Sequence, residues 1–180
     1  MFKNFILTAV AILFISGCGR AEKIARIEQK CANNEAVWCL KLGKTYARRD
    51  INKGVMYYQK ACDLGDKRGC YRLAVLLNSK SINSKKDNET IVKSLTKSCD
   101  LGTPKACFEL GEYYEDDPKM QSKANELFAK SCEQRFGLAC YKLADFYGEK
   151  NDAATQKNYL ELACKYRYKV ACEEVGEDKQ

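Results

Sequence analysis

The sequence has 180 residues, 31% of them charged and 46% hydrophobic, which is the composition of a globular protein of about one domain. It lacks histidine, which excludes the commonest general base and the commonest nitrogen ligand of metals. The net charge of +7 is spread along the chain, as on solvated helix faces rather than in a nucleic-acid-binding groove. We therefore expect no metal, no cofactor and no nucleic-acid partner.

The N-terminus has the features of an export signal. One positive charge precedes an uncharged apolar run over residues 5–15, which is short for a membrane span but suits the hydrophobic region of a signal peptide. The run ends in the tetrapeptide ISGC, which resembles the bacterial lipobox, and its cysteine is Cys18. We therefore predict a signal peptide over 1–17, lipid attachment at Cys18 and a linker over 18–20.

This resemblance implies a cell-envelope protein that a lipid anchor holds at the membrane, facing the periplasm or the exterior. Several acyl chains on one cysteine anchor a protein firmly, whereas one chain holds it weakly. Gly19 follows the cysteine in place of aspartate, which favours the outer membrane if the rule of enteric bacteria applies. The alternative is an ordinary signal cleaved after Ala21, which would give a soluble secreted protein.

Beyond residue 20 the pattern is that of short amphipathic helices. Apolar residues follow helical spacing, and glycines or cap-plus-proline pairs such as Thr103-Pro104 and Asp117-Pro118 mark helix ends. The predicted helices cover residues 21–30, 36–48, 55–64, 67–77, 88–101, 105–114, 119–132, 138–147, 153–164 and 169–175. We therefore predict an all-α array over 21–176, with four helix pairs, an unpaired helix at each end and a tail over 177–180.

Ten of the eleven cysteines form five pairs with the same eight-residue spacing. The first cysteines of successive pairs are 31, 37, 33 and 32 residues apart, which is the period of a helical repeat array. The longest interval contains a polar insertion over 78–87, predicted to be a solvated loop or, alternatively, a lysine-bearing contact loop. Cys18 is the one cysteine left over, which supports a separate role for it.

The spacing of each pair predicts a disulfide across a turn. On one straight helix, residues eight apart lie about 12 Å apart, whereas a disulfide needs Cα atoms within about 7 Å. A turn between the cysteines places them side by side in an antiparallel hairpin. Zinc and thioredoxin-like redox sites are disfavoured because there is no C-x-x-C spacing and no histidine. The predicted disulfides are Cys31–Cys39, Cys62–Cys70, Cys99–Cys107, Cys132–Cys140 and Cys164–Cys172.

Other positions repeat in register with the cysteines. Small residues recur four positions after the second cysteine of each pair, and large ones four positions before the first cysteine. Small residues let helices approach closely, and large neighbours fill the groove beside them. The small residues are Gly43, Ala74, Gly111, Ala144 and Gly176. The large ones are Ile27, Tyr58, Leu95, Phe128 and Leu160.

The runs LGKTY at 42–46 and YYQKACDLGD at 57–66 resemble the consensus of the Sel1-like repeat family, and the repeated cysteine pair resembles the Helicobacter cysteine-rich proteins. The resemblance covers about residues 21–176. It implies an α/α superhelical solenoid akin to tetratricopeptide arrays, disulfide-bridged and periplasmic or secreted. It also implies an alternative function, penicillin binding with weak β-lactamase activity.

In the tetratricopeptide relatives, two positions on the first helix of each repeat face the binding groove. Mapped onto this chain, they give an aromatic row flanked by charges, which suits an extended peptide or a partner's helix. We therefore predict a monomeric scaffold that binds a protein or peptide partner, with a peptidoglycan-associated role as a special case. The alternative is that the aromatic side chains pack between repeats. The residues are Tyr71, Phe108 and Tyr141 in the row, and Lys44, Glu112 and Asp145 beside it.

The enzymatic alternative depends on one short match. Serine β-lactamases carry their nucleophile in S-x-x-K, which residues 94–97 match. The supporting S-D-N and K-T-G motifs are absent from the sequence, and about one S-x-x-K is expected by chance. The sequence therefore favours a protein that is not an enzyme, with Ser94 and Lys97 as its catalytic candidates if it is one.

Overall fold

A computed structural model describes residue 19, residues 21–79 and residues 85–176. Within these residues it contains ten α-helices and no β-strand, as the sequence predicts. The helices are α1 (21–32), α2 (Ala36–Tyr46), α3 (Ile51–Asp63), α4 (Lys67–Ser79), α5 (Lys85–Asp100), α6 (Pro104–Glu115), α7 (Gln121–Glu133), α8 (Gly137–Glu149), α9 (Ala153–Lys165) and α10 (Lys169–Val175). The predicted signal peptide over 1–17, Cys18 and the tail over 177–180 lie outside the described residues.

The chain divides into two compact units, Met1–Gly69 and Cys70–Gln180. In the first unit α2 packs along α3, and in the second unit α5 to α10 each pack against the next helix in the chain. Short turns join most of these helices, so neighbours run in opposite directions. The core of the second unit includes Phe108, Phe128 and Leu143, with buried alanines between the large side chains.

The five turns that carry the cysteine pairs share one hydrogen-bond pattern. In each turn the N–H of the third residue after the first cysteine donates to that cysteine's carbonyl, and the next N–H donates to the carbonyl just before the cysteine, at 2.8–3.3 Å. This is the Schellman pattern, which ends a helix with a left-handed residue. The left-handed residues are Asn34, Gly65, Gly102, Arg135 and Arg167, with φ between 64° and 87°.

These turns bring the cysteines of each pair together. The Cα atoms are 4.6–4.8 Å apart in the disulfides Cys31–Cys39, Cys99–Cys107, Cys132–Cys140 and Cys164–Cys172. Cys62 and Cys70 are disulfide-bonded as well, so every cysteine among the described residues is oxidised. The prediction of five disulfides between neighbouring helices is confirmed.

The small residues after the second cysteine permit close helix contact, as predicted. A Cβ at Gly43 would overlap the ring of Tyr58, and a Cβ at Gly111 would lie 2.6 Å from Cε1 of Phe128. Real Cβ atoms do not approach neighbours so closely. Both glycines therefore let an aromatic ring lie directly on the backbone of the helix beside it.

The start of α3 and the extent of the polar insertion differ from the sequence prediction. α3 begins at Ile51 rather than at residue 55, because Asp50 is its N-cap and accepts a hydrogen bond from the backbone N of Lys53 at 3.1 Å. The insertion over 78–87 is shorter than predicted, since residues 78–79 end α4 and residues 85–87 begin α5. Residues 80–84 lie outside the described part.

The two cap-plus-proline signals behave differently. Pro104 is in the first turn of α6 as predicted, but the hydroxyl of its N-cap residue, Thr103, has no hydrogen-bond partner among the described residues. Asp117-Pro118 does not open α7. A hydrogen bond of 2.8 Å from the N–H of Met120 to the carbonyl of Asp117 closes a separate turn there, and α7 begins at Gln121.

Candidate functional site

The predicted binding residues of the second unit lie on α4, α6 and α8, which are the first helices of successive repeats. Their polar groups interact with neighbouring first helices, so that a continuous set of charged and hydroxyl groups crosses α4, α6, α8 and α10. We call this set the polar ladder. Its members are Tyr71, Glu109, Glu112, Glu115, Tyr141, Lys142, Asp145 and Glu174.

The ladder begins with Tyr71 on α4. Its hydroxyl donates to Oε1 of Glu109 on α6 at 2.6 Å, while Nζ of Lys105 lies 5.7 Å from the centre of its ring. Burial and the hydrogen bond to Glu109 raise the pKa of Tyr71 well above its ordinary value. Tyr71 therefore stays a neutral donor at any physiological pH.

An ion pair joins α6 to α8 in the middle of the ladder. Nζ of Lys142 donates to both carboxylate oxygens of Glu115, at 2.9 and 3.0 Å. Glu112 is exposed beside this pair. Partial burial raises the pKa of Glu112, and the charges of Glu115 and Glu109 raise it further. The attraction to Lys142 opposes this rise.

The ladder ends at α10. The hydroxyl of Tyr141 donates to Oε1 of Glu174 at 2.7 Å, and this hydrogen bond, with burial, raises the pKa of Tyr141 to about 12. Partial burial and the charge of Glu174 raise the pKa of Asp145, and Lys142 opposes that rise. Asp145 is therefore a second exposed carboxylate that is harder to ionise than usual.

The ladder is acidic although the chain as a whole is basic. It contains the five carboxylates of Glu109, Glu112, Glu115, Asp145 and Glu174, against the ammonium of Lys142 and that of Lys105, which lies 3.8 Å from Oε1 of Glu109. The sequence has a net charge of +7. Repulsion from neighbouring carboxylates adds to the effect of partial burial on the pKa values of Glu112 and Asp145, and a cationic partner group would relieve that repulsion.

Phe108, which the sequence analysis places in the predicted binding row, is buried in the core. Its side chain is 4% exposed. Its ring lies 5.6 Å from the ring of Phe128 and 5.2 Å from that of Phe136, measured between centroids. Phe108 is therefore a core residue, as in the alternative that aromatic side chains pack between repeats. The alternative holds only in part for Tyr71 and Tyr141, which are half-buried and use their hydroxyls in the ladder.

The remaining predicted residue, Lys44, belongs to the first unit. It lies on α2 with an exposed side chain. Its position in the repeat is that of Glu112 and Asp145, so this repeat presents the opposite charge there. Lys44 is not part of the polar ladder.

A groove of about 560 Å³ adjoins the ladder between α4, α5 and α6. Val75 and Tyr113 line it and are 41% and 49% exposed, and Glu109 and Glu112 also line it. Val75 occupies the repeat position of Glu112. The groove thus combines apolar surface with two carboxylates, which suits a segment that carries apolar and basic side chains.

The catalytic candidates are poorly placed. Ser94 is only 4% exposed on α5, so its hydroxyl is not open to a substrate. Lys97 lies in the last turn of the same helix. The S-x-x-K match therefore lies on a packed helix with its serine buried, and nothing in the described residues supports Ser94 as a nucleophile.

Two further findings concern metals and membranes. Among the described residues, no group of three or more Cys, Asp or Glu side chains is arranged to hold a metal ion. None of the helices in that part of the chain has the length and apolarity needed to cross a bilayer.

Sequence reasoning missed the glutamates that accept from the tyrosines. Glu109 and Glu174 each lie two positions after the second cysteine of their pair, and the tyrosine one position after the second cysteine of the preceding pair donates to each. The signal that could have found both hydrogen bonds is a tyrosine one position after a second cysteine, followed in the next repeat by a glutamate two positions after the second cysteine.

The family model of the Sel1 repeat matches residues 32–66, 104–136 and 137–166, which together make up more than half of the chain. This chain belongs to the Sel1 repeat family. Sel1 repeats form scaffolds that are typical of protein–protein interaction. A comparison with curated proteins gives no match.

Solved structures confirm the solenoid fold class of the Sel1 repeats. A Sel1 repeat protein from Oxalobacter formigenes is similar with a TM-score of 0.70 at 17% identity, over 87% of this chain and 68% of that chain. The protective antigen c5321 of uropathogenic Escherichia coli has the same TM-score at 20% identity, over 86% of this chain but 35% of that one. Helicobacter pylori cysteine rich protein B is 26% identical with a TM-score of 0.54, over 69% of this chain and 94% of that chain.

The disulfides also bear on where this Sel1 repeat protein resides. Disulfides persist in oxidising compartments and are rare in the reducing cytosol. Ten disulfide-bonded cysteines in the described residues therefore indicate an oxidising, extracytoplasmic environment.

Proposed function

We propose that this Sel1 repeat protein is an exported, lipid-anchored scaffold that binds a protein or peptide partner along the polar ladder, in envelope assembly or in contact with a host. The observation that supports it most is the acidic character of the ladder on a basic chain. Glu112 and Asp145 are exposed, and neighbouring carboxylates add to the rise that partial burial causes in their pKa values, so a cation close to them would be favoured. The partner segment should carry lysine or arginine beside apolar side chains that fit the adjoining groove.

Capture from the cell envelope tests this proposal. Tagged protein lacking residues 1–18 is cross-linked to envelope extract, and captured proteins are compared between wild type and Glu112→Gln/Asp145→Asn. We expect the double variant to lose the specific partner, and capture to weaken as salt is raised. The matched control is Glu89→Gln/Glu161→Gln, which removes two exposed carboxylates from second helices. If the two double variants capture the same partner equally well, the ladder is not the binding surface.

Lipid attachment is supported by the lipobox-like tetrapeptide and by the pairing of every cysteine in the described residues, which leaves Cys18 outside the disulfides. We expect metabolic labelling with an alkyne fatty acid to mark the full-length chain but not Cys18→Ala, and membrane association to be lost with the label. Equal labelling of the variant would exclude Cys18 as the acylated residue.

No observation in the structure favours the β-lactamase alternative, since Ser94 is buried. It is testable directly with a chromogenic cephalosporin and purified protein. Turnover that is abolished in Ser94→Ala would restore the enzymatic hypothesis, and we expect no turnover above the buffer rate.

A further inference from the structure

The first unit contains a tyrosine pair that shares one carboxylate. The rings of Tyr46 and Tyr57 stack at 5.5 Å between centroids with 17° between their planes. Both hydroxyls donate to the same atom, Oε1 of Glu28 on α1, at 3.1 and 3.3 Å. The stack and the carboxylate together satisfy both phenolic hydroxyls within the protein.

The second unit repeats the stack. Tyr147 and Tyr159 occupy the same repeat positions, seven after the second cysteine and five before the next first cysteine. Their rings also stack at 5.5 Å, with 12° between their planes. The position of Glu28, three residues before the first cysteine, is here Ala129. The second unit therefore keeps the donors and lacks the acceptor.

A groove lies where the missing carboxylate would be. It has a volume of about 600 Å³, within the range of small-molecule sites, and Ala129, Tyr147 and Tyr159 all line it. Neither tyrosine hydroxyl has a hydrogen-bond partner among the described residues, whereas both equivalents in the first unit have one. We call this site the tyrosine groove.

Charges and amides at the groove decide which ligand it suits. Lys150 lines it with Nζ 4.5 Å from the ring centre of Phe146, and the side chains of Gln121 and Asn125 add amide donors. Glu126 lies on the same lining, where it accepts a hydrogen bond of 3.4 Å from Ser122, and the charge of Glu133 acts on Tyr159, so both would oppose an anion close to them. The groups that can hold a carboxylate are the two tyrosine hydroxyls and Lys150, which contacts Phe146 as Tyr147 does.

We propose that the tyrosine groove binds a carboxylate of a peptide ligand, which takes the place that Glu28 fills in the first unit. The ligand is a short segment with an exposed aspartate or glutamate side chain. Phenol hydroxyls and an ammonium are strong partners for a carboxylate, since charge-assisted hydrogen bonds are about twice as strong as neutral ones. This site is separate from the polar ladder, and its proposal does not depend on the function proposed above.

Titration with matched peptides tests the proposal. Protein lacking residues 1–18 and carrying ring-labelled tyrosine is titrated in NMR experiments with acetyl-Gly-Glu-Gly-amide and with its glutamine counterpart. We expect saturable shifts at Tyr147 and Tyr159 with the glutamate peptide only. Tyr147→Phe/Tyr159→Phe keeps the stacked rings, and we expect it to weaken binding about tenfold or more, because each lost hydrogen bond involves a charged group.

Two variants complete the design. Tyr46→Phe/Tyr57→Phe removes the equivalent hydroxyls from the first unit and should leave peptide binding unchanged. Lys150→Gln changes an exposed side chain, so the fold should be kept while binding weakens. Equal binding of the two peptides, no shift up to millimolar peptide, or full binding by the Tyr147→Phe/Tyr159→Phe variant would each overturn the proposal.

Discussion

The contact between Gly111 and Phe128 offers a quantitative test of how the repeats pack. A Cβ added at Gly111 would lie 2.6 Å from Cε1, 2.8 Å from Cδ1 and 3.1 Å from Cζ of Phe128. The ring is buried with 2% exposure, so it has little room to move away. Gly111→Ala should therefore force a shift of the ring or of the helix.

Two opposing effects set the size of the change. Overpacking of a core costs about 1–3 kcal/mol, whereas replacing glycine by alanine in a helix stabilises it by about 1 kcal/mol. We therefore expect Gly111→Ala to lower the free energy of unfolding by about 0–2 kcal/mol. With Phe128→Leu present, the clash is removed and the same substitution should stabilise by about 1 kcal/mol. The coupling between the two sites should then reach about 1–3 kcal/mol.

The native chain contains both combinations. At these two repeat positions glycine accompanies an aromatic residue in one repeat, and alanine accompanies leucine in the next, as in Ala144 with Leu160. The double variant therefore copies a native pair. The coupling free energy between the two sites is measured by urea denaturation of the wild type, both single variants and the double variant. The disulfides are kept intact, and the slopes of unfolding free energy against urea are compared. A coupling below about 0.5 kcal/mol, the limit for independent sites, would refute this account of the packing.

Four other variants probe the turns, the ladder and the disulfides. Arg135→Gly should stabilise by up to about 1 kcal/mol in urea melts, because φ is 66° there, and Gly102→Ala should destabilise similarly. Glu112→Gln should raise the free energy of unfolding at pH 7 by at most about 1 kcal/mol. Its pKa is raised by folding, so this gain should vanish below about pH 4. Removing one disulfide with Cys132→Ala/Cys140→Ala should lower the free energy of unfolding by about 2.5 kcal/mol, compared at equal slope against urea.

The disulfides could be predicted because one local rule controls them. A spacing of eight residues fits a helix end, a Schellman turn and the first turn of the next helix, and the same turn recurs in all five pairs. The start of α3 could not be predicted in the same way. The predicted helix over 55–64 excludes Gly54, yet Gly54 lies inside α3, where a Cβ would be 2.8 Å from Cα of Ala47. Close packing, which the sequence does not display, explains that glycine.

The repeat position of the predicted binding row serves two purposes in the structure, which the sequence pattern did not separate. Phe108 is wholly apolar and turns into the core, whereas Tyr71 and Tyr141 occupy the same position and reach a glutamate on a neighbouring helix. The hydroxyl decides between these outcomes, since a buried phenol needs a hydrogen-bond partner. In the repeat after the one that contains Phe108, Lys142 occupies the position of those glutamates, and it forms an ion pair with Glu115.

The same comparison explains how an array of one fold can carry different sites. The Schellman turns, the disulfides and the small residues at helix contacts recur in the repeats, so substitutions elsewhere change the surface without changing the backbone. At the exposed ladder position the chain has Lys44, Val75, Glu112 and Asp145 in successive repeats. Likewise, a stacked tyrosine pair is satisfied internally where Glu28 is present and faces a groove where Ala129 replaces it. Binding sites in this chain should therefore be sought where a repeat position departs from its equivalents while the packing around it is kept.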